Sequence, residues 1–214
     1  EQVRYAHSSA ERLHSKMSAM DSQQQSELER IQRLLGRCML RLQQYERLLK
    51  ALWVDHEVAG PPAALQQIRT ARSESLQKSP LGDVRKKLLG SFFRAENETF
   101  EEDGDAGAPP TSSDGVHFSL RTQHVMPKEA YEQFVQNTES LVLMRNDLVH
   151  HLLDRYDLSQ TDARLRCIAH LERCLDLIGE RHEELLGVCH AHIEAREAMA
   201  EWTKGEDFYN LMHH

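Results

Sequence analysis

Arg145, Asn146, His150 and His151 fall within seven residues of one another in the stretch LMRNDLVHHLLDRYD, residues 143–157. Their types suit chemistry at phosphorus. A guanidinium presents a fixed fork of donors to phosphate oxygens. An imidazole titrates near neutrality, so it can take a proton from an attacking hydroxyl or return one to a leaving oxygen. Positive charge placed beside a phosphorane stabilises it as it forms. Asn146 can orient His150 or donate to phosphate, and Asp147 can tune a neighbouring imidazole. The structural alternative is that Arg145 pairs with a buried carboxylate while the two histidines sit half-exposed on a helix.

The element that must position these residues is a helix opened by Pro127 and running to about Tyr156, with Tyr131, Phe134, Val135, Thr138, Leu141, Val142, Leu148, Val149 and Leu152 on one face. Arg145 falls on that apolar face, where a guanidinium must snorkel outward or meet a polar groove. His150 lies about 140° away around the helix. One straight helix therefore does not aim both groups at one phosphate, whereas a two-fold axis between matching helices brings two arginines and two histidines into one cleft.

Positions 3, 10, 17, 24, 31, 38, 45 and 52 are Val, Ala, Met, Gln, Ile, Cys, Tyr and Leu, a seven-residue recurrence that predicts one long N-terminal helix. A second line through Ala6, Leu13 and Met20 shifts by one position to Leu28, Leu35, Leu42 and Leu49. The shift coincides with DSQQQSE, where Asp21 or Ser22 is placed to cap a new helix, so a kink or break is expected there. Gly60 to Pro62 end the element. Shorter helices follow through Leu65, Ile68 and Leu76 and from Pro80. The acidic, turn-rich segment at about 95–115 reads as a flexible loop. Residues 116–125 alternate as a strand with no evident partner, able to pack along a helix instead. A last heptad seam runs through Ile168, Leu171, Leu175, Ile178, His182, Leu185 and Cys189. Outer helices of roughly 60 Å need partners beyond a small core, which favours a homodimer.

The 214 residues, 10 Gly, 6 Pro and 6% aromatic content fit a mostly helical chain of one domain. The net charge of −8 is concentrated: seven acids against one base between Arg94 and Gly115 leave the remainder near neutral, so a phosphate-bearing partner is not excluded. Arg30, Arg33, Arg37 and Arg41 form a stripe that suits an RNA backbone or a solvated helix face equally. His170 with Cys174, then His182, Cys189, His190 and His192, have zinc-ligand types without a four-ligand spacing, and no metal is expected. Four scattered cysteines, no leader pattern and no run of about 18 apolar residues favour a cytoplasmic location and no membrane span. P-loop, GxSxG and HExxH motifs are absent, which removes the enzyme classes they mark.

RNDLVH, Arg145 to His150, resembles the R-x4-6-H motif of the HEPN superfamily (higher eukaryotes and prokaryotes nucleotide-binding), including the small polar residue after the arginine, here Asn146. More narrowly, RYAHSSAERLHSKM, ELERIQRLLGRCMLRLQQYERLLKAL and LMRNDLVHHLLDRYDL are similar to the HEPN-like region of bacterial proteins that carry a following OST-HTH (LOTUS) RNA-binding domain. This resemblance spans most of the chain apart from the acidic loop. It implies an all-α fold over residues 1–214, an elongated antiparallel helical bundle with long N- and C-terminal helices, dimeric. The activity it implies is that of a metal-independent endoribonuclease without cofactor, cleaving RNA through the 2′-OH at a composite dimer-interface site. Arg145, His150 and Asn146 would be catalytic and His151 a helper, since the motif places its histidine at position 150. The alternative is a non-catalytic dimerisation scaffold for a C-terminal LOTUS domain lying outside this chain. An antitoxin is a further partner under the nuclease reading.

Overall fold

A computed structural model describes residues 2–96 and 118–205, so nearly all of the expected acidic loop lies outside the described residues. Along the chain run α1 (Gln2–Asp55), β1 (Glu57–Gly60), α2 (Leu65–Leu76), α3 (Leu81–Leu88), β2 (Phe93–Ala95), β3 (Phe118–Arg121), β4 (His124–Met126), α4 (Lys128–His150), α5 (Leu152–Arg155) and α6 (Thr161–Trp202). The fold is mostly helical, as expected, and four short strands among the described residues add a small amount of sheet to it. The chain divides into two compact units, residues 1–42 with 143–179 and residues 43–142 with 180–214. No helix among the described residues is long and apolar enough to cross a membrane.

The heptad line of α1 is buried where it is most apolar: Ile31, Cys38, Tyr45 and Leu52 all are, with Leu34, Leu42 and Leu49 beside them. The break expected at DSQQQSE does not occur. Neither Gly nor Pro interrupts that stretch. Gln23 Nε2 donates to Glu27 Oε1 and Gln25 Nε2 to Glu29 Oε1, each at 3.0 Å, one turn apart. Residues 21–26 are exposed, and the helix runs through them. The other end is corrected too: α1 stops at Asp55, and the residues expected to continue it to Gly60 pair as a strand instead.

In the first unit, Arg164 near the start of α6 is 3% exposed and Glu27 of α1 is 8% exposed. Arg164 Nε donates to Glu27 Oε2 at 2.6 Å, Nη1 to the carbonyls of Leu158 (3.1 Å) and Ser159 (3.0 Å), and Nη2 to Thr161 Oγ1 (3.0 Å). The pair ties α1 to the turn that leads into α6. That turn is also held by Asp157, whose Oδ1 accepts from Ser159 N at 3.0 Å and Ser159 Oγ at 2.7 Å. The arginine and its hydrogen bonds hold the Glu27 carboxyl below the usual carboxylate range.

In the second unit, the segment expected to be a lone strand divides into β3 and β4, and both find partners. β1 pairs antiparallel with β3, Val58 opposite Leu120, and β2 pairs parallel with β4, Phe93 opposite His124. The partners were hidden because each is only three or four residues long and follows a helical pattern. Arg85 of α3 clamps α4 through Thr138 Oγ1 (3.0 Å), the Val135 carbonyl (3.1 Å) and Glu139 (2.6 Å). Around Phe92, 1% exposed, stand three imidazoles, His56 at 6.1 Å, His124 at 6.3 Å and His192 at 5.4 Å between ring centroids.

Two of those histidines are buried in neutral form. His56 Nδ1 donates to the Trp53 carbonyl at 2.8 Å, which leaves its buried Nε2 without a hydrogen bond. Burial pushes the His56 imidazole below its ordinary 6.5, Arg72 and Arg121 add to this, and the Trp53 carbonyl and Glu57 oppose it. Burial also pushes His192 down, with Arg196 adding and Asp55 opposing.

Two outcomes are expected. Arg164→Met strands the buried Glu27 carboxylate and lowers the thermal midpoint by more than about 5 °C. Adding Glu27→Leu recovers most of that loss in far-ultraviolet circular dichroism melts; a double variant no better than Arg164→Met would show that the loop contacts, not the stranded charge, carry the effect. For the histidines, an unfolded chain takes up protons near pH 6.5 that the folded imidazoles refuse. Stability therefore falls as pH drops through that value toward the lowered folded values, and His56→Gln flattens the fall. A denaturation midpoint independent of pH between about 7.5 and 5.5 overturns the neutral assignment.

Candidate functional site

Arg145, Asn146, His150 and His151 lie in the first unit, as do Arg30, Arg33, Arg37 and Arg41, whereas His182, Cys189, His190 and His192 lie in the second. Arg145 is half-buried on α4, whereas Asn146 and His150 are exposed on it. No hydrogen bond or ion pair among the described residues joins Arg145 to His150, and Arg145 has neither with any other described residue. The carboxylate partner that a purely structural arginine requires is thus not found among them.

The helix expected to continue to Tyr156 ends at His150. His151 has φ −125° and ψ 0°, outside the helical well, and α5 restarts at Leu152. The His151 amide still donates to the Asp147 carbonyl at 2.9 Å. His151 is exposed, its Nδ1 lies 3.7 Å from Asp154 Oδ2, and its ring centre is 6.2 Å from that of His150.

What the interruption does bring together is a cluster on the other side of the motif. Asp147 Oδ1 accepts from Arg155 Nη2 at 2.5 Å, and Asp147 Oδ2 lies 3.8 Å from His170 Nε2. His170 stands 5.8 Å from the Tyr156 ring and 3.6 Å from the Cys174 sulfur. On an unbroken helix, residues 147 and 155 would be about 12 Å apart along the axis, so the turn at His151 is what places Arg155 beside Asp147. Burial pushes the His170 imidazole down and Arg155 and Arg173 push it further, while Asp147 draws it up. Burial and the Asp147 charge push the Cys174 thiol up, so it is a packed thiol rather than a thiolate.

Arg155 and Tyr156 were not singled out in the sequence. No periodic signal marks them, because their placement follows from a break that no Gly or Pro announces. Asp147 was expected beside an imidazole, and it is, although the imidazole is His170 rather than His150.

The arginine stripe lies exposed on α1, as a solvated face or a phosphate track requires. Arg30 pairs with Glu172 at 2.5 Å across to α6, both half-exposed. Among the described residues no group of three or more His, Cys, Asp or Glu is placed to hold a metal ion.

Comparisons with protein-family models, with curated proteins and with solved structures find no match to the chain.

The electrostatics of the cluster have a direct readout. Asp147→Asn is expected to lower the His170 pKa further and Arg155→Gln to raise it, followed through the imidazole C–H shifts in an NMR pH titration. Identical curves for both variants and the parent would show that burial alone sets the value.

Proposed function

We propose that the chain is a HEPN-like, dimeric helical ribonuclease that cleaves RNA without metal or cofactor, with Arg145, Asn146 and His150 of two copies sharing one cleft. The observation that carries this reading is Arg145, a half-buried guanidinium with no hydrogen-bond or ion-pair partner among the described residues. Two arginines drawn further into the interior are met, Arg164 by four acceptors and Arg85 by three. An anion that arrives from outside gives Arg145 what those arginines already have.

The face beside it supports a second copy. Leu143 is 60% exposed, Val149 48% and Leu153 72%, and these large apolar side chains flank Asn146 and His150 along α4 and α5. A two-fold contact across that strip covers the apolar groups and brings the second copy's His150 near the first copy's Arg145. The 140° divergence within one helix then no longer separates the groups.

In the cleft, one neutral His150 removes the proton of the RNA 2′-OH, and the 2′-oxygen attacks the adjacent phosphorus. Arg145 holds the non-bridging oxygens as charge builds on the phosphorane, and Asn146 donates to the same group or orients the imidazole. The P–O5′ bond breaks, the 5′-oxygen takes a proton from the protonated His150 of the other copy, and a 2′,3′-cyclic phosphate remains. The exposed Arg33, Arg37 and Arg41 suit the flanking backbone.

The same apolar strip fits the second reading, a dimerisation scaffold for a following LOTUS RNA-binding domain. Cleavage separates the two. The nuclease reading expects RNA cut in EDTA with 2′,3′-cyclic ends, a loss of about 10²–10⁴-fold on His150→Ala, and a similar loss on Arg145→Ala with the dimer intact in sedimentation. A dimer that leaves RNA whole moves the chain to the scaffold reading. A monomer, with activity unchanged in both variants, removes both.

A further inference from the structure

The second unit holds a cavity of about 500 Å³ whose wall joins β1, β3, α2 and the last turns of α6. Its apolar part comes from Val58 and Leu120, which face each other across the β1–β3 pair, with Leu65 and Met199. Met199 is 41% exposed, so apolar surface is presented at the rim as well as inside.

One polar corner interrupts this lining. Asp55, the last residue of α1, carries negative charge where the helix dipole disfavours it, and two arginines answer it. Arg69 reaches Asp55 Oδ1 through Nε at 2.7 Å and Nη2 at 2.6 Å. Arg196 Nη1 stands 3.6 Å from Oδ2, beyond hydrogen-bond distance. Two guanidiniums therefore share one carboxylate. These three are the charged residues of the lining, and the corner carries a net positive charge. Arg196 makes no hydrogen bond with a described residue, so its donors face the cavity uncommitted.

The neighbouring cavity of about 590 Å³ shares Asp55, Gln66 and Arg69 but is more highly charged, with Arg47, Lys50 and Glu74 beside Ala51, Val54 and Leu76. There Lys50 is already bonded to Glu46 at 2.7 Å and to the Gln77 carbonyl at 3.3 Å. It lacks the paired Val58 and Leu120 of the β1–β3 wall.

An apolar chamber of ligand size with one convergent, under-neutralised charged corner selects its occupant by both features. We infer that this cavity binds a small amphiphilic carboxylate, a medium-chain monocarboxylic acid. Its carboxylate takes the unsatisfied donors of Arg196 as a charge-assisted pair, and its alkyl chain lies against Val58, Leu65, Leu120 and Met199. The inference is independent of the RNA reading, because every lining residue belongs to the second unit and none is a residue of the Arg145–His150 motif.

The test is isothermal titration of the full chain with octanoate and, in parallel, with 1-octanol as the neutral probe of equal length. Octanoate is expected to bind more tightly than octanol. Arg196→Gln should weaken octanoate at least about tenfold while leaving octanol unchanged, because the charged contact is lost and the chamber is kept. Ala200→Phe, which fills the chamber from α6, should abolish both. Where that variant does not melt like the parent, Thr203→Trp serves as the second filling variant under the same titration. Equal binding of octanoate and octanol, full octanoate binding by a folded filling variant, or no binding of octanoate by the parent chain overturns the assignment.

Discussion

Burying a guanidinium is tolerable only when its donors are met, and the pair of Arg164 with Glu27 shows what that condition imposes on the first unit. Four of the five donors of Arg164 have acceptors, drawn from α1, from two carbonyls of the turn before α6 and from the first residue of α6. The arrangement fixes α1 and the entry to α6 together, and it fixes the turn at Leu158 and Ser159 with them. Because α5 and that turn are a few residues apart, the constraint also limits where the chain can go after His151. The Asp147–Arg155–His170 cluster, which needs both the break at His151 and the first turns of α6, depends on it.

The second unit solves the same problem with different groups. Arg85 carries the polar tie between α3 and α4, and its three partners leave little of the guanidinium unmet. Around Phe92, neutral imidazoles replace charges as the polar members of the core. An imidazole can give up its charge on burial, which a guanidinium cannot. That difference in proton affinity explains why the histidine cluster tolerates unpaired ring nitrogens, whereas the deeply buried Arg164 is met on nearly every side.

The periodicity of the sequence made the long helices legible, since burial of one stripe is what sustains a helix and Ile31, Cys38, Tyr45 and Leu52 repeat at the right interval. It did not reveal Glu27, which occupies a buried position on the same helix. A charge in an apolar seam looks like an error until its partner, 137 residues away, is known. The short strands were hidden for a related reason: strands of three or four residues take their stability from a partner rather than from local preference. β1 and β2 acquire theirs only after β3 and β4 are placed.

At the candidate site the residue types were legible and their grouping was not. Arg145, Asn146 and His150 announced themselves as polar interruptions of an apolar helix, and helix geometry already implied that one copy leaves them apart. The contrast among arginines sharpens this. A half-buried charge with no partner is costly to keep, because water is partly removed and nothing described replaces it. Arg164 shows that this chain can furnish a full set of acceptors where an arginine is structural. For Arg145, no described residue supplies the missing half of the interaction; under the proposed function an RNA phosphate supplies it, and the exposed strip of Leu143, Val149 and Leu153 is the surface that reading assigns to a second copy.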